Sequence, residues 1–164
     1  MVEGFKCFDK GLVNRYGTKF EIGKAYHADG NIHFGNKELY GNGFHMCKNM
    51  EDTFRYFNAN EKEVDVCSCI GWGSVHEVYD DYYGFNNMYA CEYIQLIKLF
   101  KRKEVIEYIL SKPDYRIKRF ISLYKLTLEE IEEFEEKFKD SNGIIKAIKY
   151  YQRGDKTVYN LKGN

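Results

Sequence analysis

A chain of 164 residues with 44% apolar and 30% charged side chains has material for one core and lacks the length of a large multi-domain machine. The same balance argues against long disordered tracts. Its 25 basic and 25 acidic residues give a formal net charge of zero, so any attraction to nucleic acid has to come from how the charge is distributed.

That distribution is uneven. Residues 1–95 hold 9 Lys/Arg against 14 Asp/Glu, and residues 96–164 hold 16 against 11. Pairing inside the fold is the simplest use of two halves of opposite sign; a basic half that meets an acidic partner is the alternative. Aromatic residues make up 17% of the chain, with fifteen Tyr and twelve Phe, and such rings suit cores and binding faces alike. The first ten residues carry no apolar run of signal-peptide length, and nowhere do about 18 consecutive apolar residues occur to span a bilayer. A cytoplasmic location with no membrane partner is expected. There Cys7, Cys47, Cys67, Cys69 and Cys91 stay reduced, and their odd number fits poorly with a closed disulfide framework.

Residues 4–9 and 18–27 place aromatic and β-branched residues between Gly and Asn, which predicts strands or strand-loop pieces. Residues 28–43 read as a Gly- and Asn-rich loop with room for a short hairpin through Ile32 and Phe34. GFHMC at 43–47 predicts a strand entering a helix, with Asn49 as its cap, Glu51 and Asp52 in its first turn, Phe54 and Phe57 on one side, and an end near Asn58. The alternation in EVDVCSCI, 63–70, predicts a strand with Cys67 and Cys69 on one face. Residues 71–87 mix Gly, Asn and acids with Trp72, Tyr79, Tyr82, Tyr83 and Phe85, and read as a long ordered surface loop of the kind that carries function. Residues 88–100 predict a central strand.

Beyond it the period changes. Val105, Ile106, Ile109 and Leu110 predict a helix stopped by Pro113, and Ile117, Phe120, Ile121 and Tyr124 a second. Thr127 with Glu130 forms a capping box for a third, whose buried stripe is Leu128, Ile131, Phe134 and Phe138, ending before Asn142-Gly143. Ile144, Ile145 and Ile148 predict a fourth. Strands first and helices afterwards define an α+β fold: a largely antiparallel N-terminal sheet with one helix, followed by packed C-terminal helices. Residues 1–164 are expected to form a single domain, with 1–100 strand-rich and 101–164 helical; a separable helical subdomain is the alternative.

GFKCFDKGLVNRYGTKFEIGKAYHADG followed by GNGFHMCKNMEDTFRYF resembles the opening of an uncharacterised family of small tailed-phage and prophage proteins. The likeness covers about the first two-thirds and departs after residue 111. It implies genes expressed inside bacteria and supplies no catalytic residues. From it follows the expectation of an accessory protein that binds a bacterial protein or nucleic-acid machine, one of host defence included. Trp72, Tyr79, Tyr82, Tyr83 and His45 are candidate contacts, and the oligomeric state is left open.

Three other constellations stand beside this one. His45-x-Cys47 with Cys67-x-Cys69 could supply four zinc ligands if their strands faced one another; strand periodicity explains the same spacing with core thiols and a histidine tied to a neighbouring carbonyl. The succession of strand, Gly-rich loop, G-F-H-x-C, helix and strand resembles the first half of ADP-ribosyltransferase folds. That likeness implies NAD as cofactor, with Tyr26, His45 and Tyr56 on the nicotinamide side and Glu92 as the carboxylate that stabilises oxocarbenium charge. Otherwise no cofactor is expected. Residues 98–125 hold nine Lys/Arg against three acids, Lys101, Arg102, Lys103, Arg116 and Arg119 among them. They could meet nucleic-acid phosphates, or be neutralised by the glutamate-rich helix that follows.

Overall fold

A computed structural model describes residues 1–29, 43–80 and 84–159. The strands are β1 (Val2–Asp9), β2 (Ala25–His27), β3 (Phe44–Cys47), β4 (Val64–Asp80) and β5 (Phe85–Leu99). Between β3 and β4 lies the short α1 (Met50–Thr53), continued by a 3-10 turn over Phe54–Phe57. After β5 come α2 (Arg102–Leu110), α3 (Asp114–Leu123), α4 (Leu128–Lys137) and α5 (Asn142–Ala147), the last running into a π-helical turn over Ile148–Gln152. The architecture is α+β, and the named strands pair antiparallel throughout.

The strand pairings close on themselves. β1 pairs with β3 and β4, β3 with β5, and β5 with β4, so four strands make a ring, and β2 extends it alongside β5. Alternation then sends side chains to two sides. Phe8, Phe20, Met46, Cys67, Cys69, Cys91, Ile94 and Leu96 cluster within the ring. Cys7 and Val66 point the other way, where Met50, Phe54, Ile109, Phe120, Ile131, Phe134 and Ile144 build a second cluster under the helices. The 63–70 strand is therefore buried on both faces. All five thiols are buried, and burial pushes Cys67 and Cys69 up to about 12 and Cys91 up to about 11.

Ion pairs tie the helices to one another. Glu51 and Asp52 do more than favour the start of α1: both are fully buried, and α3 supplies their counter-ions. Arg116 donates from Nε and Nη2 to the two Glu51 carboxylate oxygens at 2.5 and 2.9 Å, and Arg119 donates from Nη1 to Asp52 at 3.0 Å. Burial pushes the Asp52 carboxyl above its ordinary range against the opposing pull of Arg119. In the same way Arg102 of α2 clamps Glu130 of α4 with two bonds of 2.7 Å. Glu130 also closes the expected capping box, accepting from the Thr127 N–H at 2.8 Å while its own N–H donates to Thr127 Oγ1 at 3.2 Å.

The structure corrects three expectations. Residues 71–80 and 85–87 are strand rather than loop: β4 and β5 continue as one long hairpin. Register shifts between Trp72 and Val75 and between Val78 and Tyr79 break the period of two that would have marked the strand. The glycines have structural reasons there, since a Cβ on Gly71 would collide with the Cys91 side chain, and Gly73 takes φ +78 against Glu92. Leu128, expected in the buried stripe, is 67% exposed at the start of α4, leaving Ile131, Phe134 and the partly buried Phe138 to pack. α4 ends at Lys137, before Asn142-Gly143 as expected, and that pair opens α5 with Ser141 at the N-cap position. Asn49 occupies the N-cap of α1 as expected, but its side chain makes no capping bond. The Ile32–Phe34 hairpin falls outside the described residues.

Candidate functional site

Among the described residues, a cavity and a sheet face each gather chemistry-bearing side chains. The first is a cavity of about 360 Å³ between β1, β3, the segment 14–20 and the turn after α1. His45 and Tyr56 line it, together with Lys6 and Arg15, which the sequence patterns did not single out. Lys6 Nζ donates to the His45 carbonyl at 2.6 Å and lies 5.9 Å from the Phe8 ring centre. Burial lowers the Lys6 ammonium below its ordinary 10.5. Arg15 donates from Nη2 to the Tyr56 carbonyl at 3.1 Å and sits over the Phe57 ring at 5.7 Å.

The second place is the outward face of β2, β5 and β4. The alternation that buries Ile94 and Leu96 turns Tyr93, Gln95 and Ile97 outward. The Trp72 ring stacks on Tyr93 at 5.4 Å with 5° between planes, and His27 packs on Tyr93 at 4.5 Å. An aromatic row thus crosses three strands. It is partly wet: the His27 side chain is 49% exposed and Ile97 is 47% exposed. Glu92 pins this region, accepting from the Ser74 N–H at 3.0 Å and lying 3.2 Å from His27 Nε2. The Ser74 and His27 bonds hold the Glu92 carboxyl below its ordinary range. Further along the hairpin Tyr79 is 48% exposed; Tyr82 and Tyr83 lie outside the described residues.

The other sequence-based candidates are scattered. Of the four residues implied by the ADP-ribosyltransferase likeness, His45 and Tyr56 share the cavity, whereas Glu92 belongs to the outer face and Tyr26 packs on Phe20 at 4.6 Å, its hydroxyl accepting from the Glu21 N–H at 2.9 Å. Cys67 and Cys69 lie within the ring beside Met46. Cys47 follows Met46 and faces the other way; its register partner Phe5 packs against the helical cluster. Among the described residues no three His, Cys, Asp or Glu side chains converge to hold a metal ion. Of the basic residues between 98 and 125, Arg102, Arg116 and Arg119 pair with Glu130, Glu51 and Asp52. Lys101 and Lys103 are exposed, the latter 3.9 Å from Glu107. Among the described residues no helix is long and apolar enough to cross a membrane.

A closed antiparallel ring roofed on one side by helices, with an aromatic row on its open side, defines a small α+β protein. Residues 2–107 match the family described as a domain of unknown function, DUF7666, and the chain belongs to that family. The match takes in all five strands, α1 and most of α2. No curated protein and no solved structure matches the chain.

Proposed function

We propose that this chain is a non-enzymatic accessory protein of phage or prophage type that binds a bacterial protein through the outward face of β2, β5 and β4. The observation that carries the reading is the Trp72–Tyr93–His27 row, with Ile97 exposed further along β5. Large rings with one wet edge are what protein interfaces concentrate at their centres. The phage-type context rests on the resemblance of the N-terminal motifs. A protein partner is favoured over nucleic acid because the arginines of the basic segment are already bound to carboxylates, which removes much of the charge that phosphates would need. A binding role also accords with five buried thiols held in their neutral form, poor nucleophiles at neutral pH.

The test is affinity capture from a bacterial lysate with quantitative mass spectrometry, run with the native chain and with Trp72→Ala and Ile97→Lys. One bacterial protein should be enriched by the native chain and lost with either variant while melting temperatures stay close. Equal recovery by all three would sink the reading. The NAD-dependent alternative draws on His45 and Tyr56 sharing a cavity. It requires NAD to raise the melting temperature and Glu92→Gln to abolish transfer without unfolding the chain; absence of both effects removes it.

A further inference from the structure

The cavity beside β1 gathers two cations and, among the described residues, no acid. Several partly buried cations elsewhere answer to acids: Arg102 to Glu130, Arg116 to Glu51, Arg119 to Asp52, Lys48 to Glu77. Lys6 and Arg15 do not. Among the described residues neither forms an ion pair, and no Asp or Glu lines the cavity. The hydrogen bond of each goes to a main-chain carbonyl, His45 for Lys6 and Tyr56 for Arg15. An ammonium has three donors and a guanidinium five, so both retain N–H groups. A partly buried ammonium whose burial cost no acid offsets is a group that gains from an incoming anion.

The remaining walls describe the rest of the ligand. Phe5, Phe20, Phe44, Met46 and Phe57 supply apolar and aromatic surface, enough to hold a ring or short apolar body. At about 360 Å³ the space lies at the small end of ligand pockets, roughly 300–1,000 Å³. We propose that this cavity is a binding site for a small anionic molecule with an aromatic body, its carboxylate or phosphate held by Lys6 and Arg15 and its ring by the phenylalanine wall. The site is built from β1, β3 and the 14–20 segment, apart from the outward sheet face. Its ligand and the protein partner can therefore be tested separately.

The experiment titrates the full chain with phenyl phosphate, benzoate and the uncharged benzyl alcohol, following amide and methyl NMR shifts. Shifts should gather on residues of the cavity with one of the two anions, and the preferred anion identifies which acid group the site takes. Lys6→Met and Arg15→Gln should each weaken that anion at least tenfold. Because Arg15 is exposed, its variant keeps the fold if Lys6→Met does not. Inorganic phosphate alone should bind more weakly than phenyl phosphate. Equal binding of benzyl alcohol, full affinity in the Arg15→Gln variant, or no shifts at millimolar concentration of either anion would overturn the proposal.

Discussion

Replacing Arg116 with methionine keeps the length of an unbranched side chain at that position of α3 but removes the guanidinium that meets Glu51. The structure makes the loss expensive. Glu51 is fully buried, the Arg116 side chain is 12% exposed, and two charge-assisted bonds of 2.5 and 2.9 Å join them. The carboxylate left behind is fully buried, and stripping one partner from a buried pair costs about 3–5 kcal/mol. At about 2–4 °C per kcal/mol for a chain of this size, the melting temperature should fall by roughly 6–20 °C. Urea unfolding followed by far-UV circular dichroism measures the free-energy loss, and a thermal melt measures the shift. Removing both partners in Glu51→Leu/Arg116→Met should recover most of the loss, because an apolar pair of similar volume leaves no charge stranded. A loss below about 1 kcal/mol for the single variant, the cost of a surface pair, would refute the reasoning.

Other consequences can be checked on the same material. Thr127→Ala removes the oxygen that accepts from the Glu130 N–H and should cost about 1 kcal/mol; an unchanged urea midpoint would show the cap to be idle. At Glu130 burial opposes the charge, but the bonds from Arg102 and Thr127 outweigh it and hold the carboxyl below its ordinary 4.5. A depressed carboxyl stabilises the fold above its unfolded value and loses that contribution as pH falls through the folded one. The stability gap between the native chain and Glu130→Gln should therefore be full at neutral pH and shrink on acidification below the ordinary value; a constant gap would contradict the assignment. A thiol reagent such as an aromatic disulfide should label none of the five cysteines within minutes in the native state and all five in denaturant, and prompt native labelling would show that one of them is accessible.

Local chemistry made much of the fold legible in the sequence. Aromatic residues between glycines mark β1 and β3, alternation marks the first half of β4, and Pro113 and the Thr127–Glu130 box mark helix boundaries that the structure keeps. Residues 71–80 and 85–87 were hidden because bulges shift the register and because glycines serve close packing against Cys91 and Glu92. Those are long-range causes that present themselves locally as loop composition. The cavity was half visible: His45 stood out by its motif, while Lys6 and Arg15 looked like two more surface cations. The signal for Lys6 was its place on an alternating strand between Phe5 and Cys7, on the same side as Phe8, where a lysine has to enter a core. Arg116 and Arg119 gave no such sign, since their partners lie 65 and 67 residues away.

The docking claim is tested most directly by photo-crosslinking inside bacterial cells. A benzophenone amino acid is placed at Ile97, on the outward sheet face, and in a second chain at Lys146, exposed on α5. The account predicts one discrete crosslinked bacterial protein from position 97, none from position 146, and disappearance of the first product when Trp72→Ala is added. Equal products from both positions, or none from position 97, would contradict it.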